Sequence, residues 1–125
     1  MKESMKPMPN LENLSFIDWE LGKQLAGNKI DLAEDLLEML IKDLPSDLHQ
    51  IKTLYANKHY TELLKHVHKL HGALSYCGTP RLKIVTAHLE SHLKNNIIND
   101  LSWLLNLLDV EANSLLQHYK QPFNA

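Results

Sequence analysis

Residues 60–80 read YTELLKHVHKLHGALSYCGTP, and the spacing of their apolar side chains predicts a helix. Gly78 follows the helix as an expected C-cap, and Thr79 and Pro80 have the residue types of an N-cap and a first helical residue. The apolar positions advance by three or four residues, as on one face of an α-helix; they are Leu63, Val67, Leu70, Leu74 and Cys77. This stretch therefore predicts two consecutive helices joined by a short turn.

Upstream, the chain shows two further helical signals. Asp18 is the expected N-cap of a short helix that stops near Gly27 and Asn28. We expect Asp31 to cap the next, long helix, and Pro45 to introduce a kink or to divide it into two helices nearly in line. The apolar positions of the long helix are Ala33, Leu37, Leu40, Leu44, Leu48, Ile51 and Tyr55.

Downstream, the same repeat predicts two more helices, and Asn95 with Asn96 separates them. The first carries Leu82, Val85, Leu89 and Leu93; the second carries Leu101, Leu105, Leu108, Ala112, Leu115 and Tyr119, with Leu104 and Leu116 widening its face. No segment alternates apolar and polar residues, so strands are not expected. Because the connections are short, consecutive helices should be antiparallel. The predicted fold is all-α, an antiparallel up-down four-helix bundle with a short extra N-terminal helix.

The chain of 125 residues has the size of one domain. We expect residues 1–14 to be a flexible lead-in or linker, residues 15–119 to form the bundle and residues 120–125 to be a tail. The lead-in fits a linker from a preceding domain, a cloning remnant or a native tail. It lacks the apolar core of a secretory signal, no later run is apolar enough for a membrane span, and the single Cys77 suits a reducing compartment. These features predict a cytoplasmic domain without membrane contact.

The charge balance argues against nucleic-acid binding. The sequence has 13 Lys and Arg against 15 Asp and Glu, so it has no net positive charge with which to neutralise a phosphate backbone.

One face of the helix around residue 68 predicts phosphoryl chemistry. With about 100° per residue, His68 lies on the side away from Leu63, Gly72 and Ser75 lie close to the same line, and His71 lies at the edge of the core. A neutral imidazole with an accessible ring nitrogen can accept a phosphoryl group. Gly72 costs the helix about 1 kcal/mol relative to alanine, but its bare backbone lets a partner protein approach His68.

These residues resemble the histidine-containing phosphotransfer (HPt) domains. His68, Gly72 and Gly78 match the HxxKGxxxxxG signature of that family, and His71 stands where the family usually has lysine. The similarity covers residues 15–118. The segment DWELGKQLAGNKIDLAEDLLEMLIKDLP, the HKLHG motif and the GTPRLK stretch look most like the C-terminal HPt domain of BarA/GacS-type hybrid sensor histidine kinases.

The resemblance implies a phosphohistidine carrier in a two-component phosphorelay. His68 would accept a phosphoryl group at Nε2 from a receiver-domain aspartate and pass it to a response-regulator aspartate. The domain would bind no cofactor, since the receiver supplies Mg²⁺, and would not be an enzyme on its own. If it was excised from a hybrid sensor kinase, the parent would be a histidine kinase anchored in the membrane. Nothing in the sequence requires more than a monomer.

The resemblance and the helical projection together assign candidate site residues. His68 is the phospho-acceptor, and His71 either contacts the phosphoryl group or fills space at the edge of the core. Gly78 and Pro80 are expected to be structural. The candidate binding residues around the docking face are Gly72, Ser75, Lys65, Lys69, Arg81 and Lys83.

Two alternatives to phosphotransfer follow from the same sequence. A bundle of this shape also serves as a non-catalytic module that binds a receiver domain or another partner. His88 and His92, at i and i+4, match a zinc-chelating spacing. Leu89 occupies the place of a zinc protease's glutamate, which excludes that activity but leaves open a metal-binding bundle that uses His88, His92 and another group. We assign no metal site. The sequence does not decide whether Glu90 points toward the helix of His68, and it places His59 and His66 on the surface.

Overall fold

The computed structural model describes residue 8 and residues 10–120. One turn of 3₁₀ helix, Leu11–Asn13, precedes the α-helices. The α-helices are α1 (Trp19–Leu25), α2 (Ile30–Ala56), α3 (Tyr60–Leu74), α4 (Pro80–Lys94) and α5 (Leu101–Lys120). No strand occurs in this described part of the chain.

The four long helices close into a bundle around an aliphatic core. α3 packs between α2 and α4, α5 packs against α4 and α2, and α1 packs against α2. The apolar positions chosen from the helical repeats are buried, except for three at the rim that are half-buried, namely Tyr55, Leu116 and Tyr119. The predicted fold class, a four-helix bundle with a short N-terminal helix, is therefore confirmed.

The beginning of α2 corrects one prediction. Asp18 caps α1 as expected, because its carboxylate accepts a hydrogen bond from the Leu21 N–H at 3.0 Å. Gly27 and Asn28 stop that helix with φ angles of +67° and +66°. α2, however, starts one residue before Asp31, with Lys29 at the N-cap position and no side-chain capping bond. Asp31 lies in the first turn instead, where a negative charge favours the helix dipole.

Pro45 does not divide the long helix. α2 runs through it as one element of 27 residues. The missing N–H of Pro45 leaves the Ile41 carbonyl without its usual partner in the helix. Pro45 itself is exposed, so water can hydrate this region of the helix. Of the two arrangements expected, a kink or a division into two helices, the division is excluded.

Gly78 is not a helix cap, contrary to the sequence prediction. α3 ends at Leu74, and Ser75 is its C-cap. The chain instead brings Gly78 against the first turn of α1, where its carbonyl accepts a hydrogen bond from the Asp18 N–H at 2.7 Å. A Cβ at Gly78 would lie 2.1 Å from the Asp18 carbonyl oxygen and 2.7 Å from the Gly22 nitrogen. Gly78 is thus the point where α1 docks onto the bundle.

The neighbouring start of α4 agrees with the sequence. Thr79 occupies the N-cap position and Pro80 is the first helical residue. Thr79 makes no capping bond, and its Oγ1 is buried without a hydrogen-bond partner among the described residues. Pro80 keeps its predicted structural role, since its ring lacks the N–H that would otherwise be unsatisfied there.

Part of the predicted lead-in contacts the bundle. Leu11 and Met8 pack against the core, and Asn10 caps the 3₁₀ turn through a hydrogen bond from the Glu12 N–H at 3.0 Å. These residues of the predicted lead-in therefore extend the apolar core. Residues 1–7 and 9, and the predicted tail after Lys120, lie outside the described residues.

We expect the substitution Gly78→Ala to lower the free energy of unfolding by roughly 1–3 kcal/mol, because the new methyl group meets backbone atoms that have no room to move. Gly72→Ala is the matched control. A Cβ at Gly72 meets open space, so this variant should be more stable by up to about 1 kcal/mol. Urea unfolding followed by circular dichroism measures both; equal effects of the two substitutions would contradict the docking role of Gly78.

Candidate functional site

The exposed face of α3 presents His68 to solvent. Its neighbours on the inner face, Val67 and Leu70, are buried, and their burial fixes the rotation of α3 about its axis. The His68 side chain is consequently 71% exposed, as the helical projection predicts. His71, one turn further along, lies at the edge of the core and is 29% exposed.

A buried carboxylate lies beneath the two imidazoles. Glu90 on α4 points toward α3, which the sequence left undecided, and its side chain is only 6% exposed. Its Oε2 bonds to Nδ1 of His68, and its Oε1 bonds to Nδ1 of His71 at 2.7 Å. Nζ of Lys94, one turn along α4, lies 3.4 Å from Oε2. One carboxylate therefore joins both histidines and a lysine.

The charge of Glu90 decides which ring nitrogens carry protons. Burial raises the pKa of Glu90, whereas the hydrogen bonds from His68, His71 and Lys94 lower it. The lowering is the larger effect, so the pKa lies below its ordinary value. The carboxylate is therefore ionised at neutral pH and only accepts hydrogen bonds, so Nδ1 of both histidines must donate. In the neutral ring of His68, the lone pair is then on Nε2, which is the nitrogen not engaged by Glu90.

Gly72 leaves bare backbone beside His68. The residue is exposed, and a Cβ built there has no atom within 4 Å. Close packing between helices, the structural explanation for a glycine here, therefore does not apply. Ser75 continues the same face, and its hydroxyl donates to the His71 carbonyl at 3.1 Å. Neither residue obstructs access to Nε2 of His68.

Three of the four predicted basic rim residues are compatible with a docking face. Lys65 and Lys69 are exposed on α3, and Lys83 is half-buried on α4. The Lys65 ammonium lies 3.7 Å from the carboxylate of Glu62. A surface pair of this kind contributes little and is easily exchanged for a partner's carboxylate.

Arg81 does not belong to that rim. Its Nε and Nη2 each donate to the Glu111 carboxylate at 2.9 Å, and its guanidinium lies 4.2 Å from the centre of the Phe16 ring. The Arg81 side chain is 17% exposed. These contacts tie α4 to α5 and to the segment before α1, so the prediction of a docking role is replaced by a structural one.

An apolar groove beside the histidine was missed by the sequence reasoning. It runs between α2 and α3, and its outer wall is formed by Met39 and Tyr76, which are 61% and 62% exposed. Leu36 and Ala73 line it, and Lys69 lies at its edge. The sequence does contain bulky apolar residues outside the core repeat at this place. Because single exposed apolar residues are common on protein surfaces, they did not indicate a groove.

His88 and His92 both contact backbone carbonyls one turn earlier on α4. Nδ1 of His88 lies 3.1 Å from the Ile84 carbonyl oxygen, and Nδ1 of the buried His92 lies 2.9 Å from the His88 carbonyl oxygen. Within residues 10–120, no three His, Cys, Asp or Glu side chains are grouped to hold a metal ion. His59 is exposed as predicted, whereas His66 is partly buried, with Nε2 3.4 Å from Oδ1 of Asp47.

None of the described helices is both long and apolar enough to span a membrane.

The chain is similar to several proteins of known architecture. A model of the Hpt domain matches residues 35–118. The sensor protein GacS of Pseudomonas syringae pv. syringae is 38% identical over 102 residues, which are 77% of this chain and 11% of GacS. The signal transduction histidine-protein kinase BarA of Escherichia coli K12 is 36% identical over 79 residues, which are 63% of this chain and 9% of BarA. The chain thus spans a small part of each relative.

A solved structure has the same fold. It is the HPT domain from the Hpt sensor hybrid histidine kinase from Shewanella, with a TM-score of 0.78 and 31% sequence identity. The match covers 93% of this chain and 100% of that domain.

We expect nitrogen-15 NMR of the histidine rings to show His68 as the Nδ1–H tautomer at a pH where the ring is neutral. Free histidine prefers the Nε2–H form, so the observed form reports the bond to Glu90. Glu90→Ala should return His68 to the Nε2–H form, whereas Glu62→Gln, which removes an exposed charge from α3, should not. An Nε2–H tautomer in the unmodified chain would contradict the geometry.

Proposed function

Because the chain belongs to the Hpt domain family, whose role is phosphotransfer in phosphorelays, we propose that it takes a phosphoryl group from a receiver domain on His68 and passes it to a second receiver. The observation that carries this proposal is the exposed Nε2 of His68 beside the bare backbone of Gly72. An exposed, unprotonated ring nitrogen is the group that such a transfer needs.

The transfer is a substitution at phosphorus. The lone pair of Nε2 attacks the phosphorus atom of an aspartyl phosphate on the receiver, and the bond from phosphorus to the aspartate oxygen breaks with its electron pair returning to the carboxylate. The Nδ1 proton stays on the ring, which becomes cationic. The carboxylate of Glu90, bonded to Nδ1, stabilises that charge as it develops.

In this proposal His71 contacts the phosphoryl group through Nε2. Its Nδ1–H donates to Glu90, so the contact is made by the protonated ring, whose Nε2–H is the one donor left for a phosphoryl oxygen. The domain binds no cofactor of its own and relies on the Mg²⁺ of the receiver.

The groove between α2 and α3 is the proposed docking surface for the receiver. Met39 and Tyr76 offer apolar area next to the reactive face, and Lys65, Lys69 and Lys83 offer positive charge to an acidic receiver pocket. Charges at a rim of this kind favour association and orientation more than tight binding.

We further propose that the chain is the C-terminal part of a hybrid sensor kinase of the BarA/GacS type, acting in the cytoplasm as a monomeric unit. On its own it is a carrier without kinase activity. The kinase activity would belong to the rest of that longer protein.

A phosphotransfer assay tests the role of His68. Incubation with a phosphorylated receiver and Mg²⁺ should move an acid-labile, base-stable label onto the chain. His68→Ala should abolish labelling, because no other residue replaces the nucleophile. His59→Ala removes an exposed histidine near the start of the same helix and should leave labelling unchanged. Receiver binding without any label on the unmodified chain would favour the non-catalytic interaction module.

We expect Gly72→Gln to slow transfer from a receiver roughly tenfold or more, because the added side chain holds the partner away from Nε2 and small displacements of reacting groups are costly. Thr61→Gln places the same glutamine side chain on α3 farther from His68 and serves as the control. Labelling by the small donor phosphoramidate should stay within about twofold of the unmodified chain in both variants. Equal loss with the small donor would show that Gly72 acts on His68 itself rather than on access.

A further inference from the structure

We infer that the carboxylate of Glu90, held in place by His71, keeps the Nδ1 proton on His68 after phosphorylation and so determines how readily the phosphoryl group leaves again. This inference rests on the proposed function and concerns the second half of the relay. It assigns Glu90 as a positioning residue for release, in addition to its support of the attack.

The leaving step depends on the ring proton. When the bond between phosphorus and Nε2 breaks, its electron pair returns to Nε2. If Nδ1 still carries its proton, the leaving group is a neutral imidazole. If that proton has been lost, the leaving group is an imidazolate anion, which is a far stronger base and a correspondingly poor leaving group. A base-stable, acid-labile phosphohistidine reflects this difference.

The structure provides a fixed anion at the required atom. Glu90 is almost entirely buried, and its Oε2 bonds directly to Nδ1 of His68. An opposite charge in contact with a titrating group, partly shielded from water, favours the charged form of that group. The phosphorylated ring, which is cationic while it keeps its proton, should therefore keep that proton to higher pH than a phosphohistidine without such a neighbour.

His71 prevents the carboxylate from turning away. Its Nδ1 holds Oε1 at 2.7 Å, so Oε2 stays directed at His68. The remaining charged group at this carboxylate is Lys94 of α4, whose Nζ lies 3.4 Å from Oε2. The groups that face Glu90 are thus His68 and His71 from α3 and Lys94 from its own helix. All three donate to it, and the ionised state of Glu90 agrees with its lowered pKa.

The substitution Glu90→Gln removes the charge of the side chain while keeping its size. Each oxygen of Glu90 accepts from one histidine, whereas an amide has an NH₂ donor in one of those two positions, which cannot accept from a ring N–H. Glu90→Gln therefore removes the negative charge and also loses one of the two bonds, with almost no change in side-chain volume. Glu62→Gln is the matched control, because it removes an exposed carboxylate from the same helix as His68.

The test uses the protein labelled with nitrogen-15 in its histidines and phosphorylated with phosphoramidate, so no receiver is involved. NMR of the ring nitrogens then follows Nδ1 of phospho-His68 across pH. We expect the pH of half-protonation to fall by about one unit or more in Glu90→Gln and to stay unchanged in Glu62→Gln. The rate of phosphohistidine hydrolysis falls as Nδ1 loses its proton. In Glu90→Gln the pH at which this rate begins to fall should be lower by the same amount as the pH of half-protonation.

The outcomes distinguish this inference from the proposed function. Labelled proteins with the same half-protonation pH in the unmodified chain and in Glu90→Gln would overturn the inference alone. Failure of phosphoramidate to label His68 in the unmodified chain would overturn the nucleophile and, with it, both proposals. Circular dichroism of Glu90→Gln should show the helix content of the unmodified chain; if that variant is unfolded, Glu90→Met, of similar length and without charge, replaces it with the same expected fall.

Discussion

A single carboxylate between two helices organises the reactive part of this bundle. Glu90 on α4 binds both His68 and His71 on α3, so the packing of these helices and the orientation of the imidazoles depend on each other. A buried charge is normally unfavourable, and it is tolerated here because three donors surround it. The same arrangement that satisfies Glu90 leaves Nε2 of His68 free. The contacts that offset the burial of Glu90 are thus the same ones that set which nitrogen of His68 faces solvent.

The leucine core determines where that carboxylate can act. Burial of Leu63, Val67 and Leu70 on one side of α3 turns the opposite side outward, and the 3.6-residue repeat then places His68 and Gly72 next to each other. α1 completes the bundle at a distant point, where Gly78 receives it without a side chain in the way. The absence of a side chain therefore serves opposite purposes at Gly78 and Gly72. Gly78 admits part of this chain, and Gly72 leaves space outside it.

Local periodicity explains which features the sequence predicted correctly. The helices, their buried faces and the exposure of His68 follow from residues three or four positions apart, and the resemblance to HPt domains of BarA/GacS-type kinases is confirmed. The contacts of Glu90 with the two histidines, and those of Arg81 and Gly78, involve residues at least 19 positions away, so no helical repeat reveals them. The roles of Gly78 and Arg81 were misassigned for that reason. Each residue had a plausible role from its sequence neighbours, but its contacts are with residues far away in the sequence.

The anchoring of His68 also limits how a relay through it can proceed. One nitrogen atom, on one face of one helix, is the only point through which donor and acceptor would reach the phosphoryl group. In the proposed relay, two receivers could not occupy that footprint together, so exchange would follow a ping-pong order in which the first leaves before the second arrives. Because the imidazole is already fixed by Glu90, the ring would not have to turn between the two encounters. The departure of the first receiver would then set an upper limit on the flow of signal.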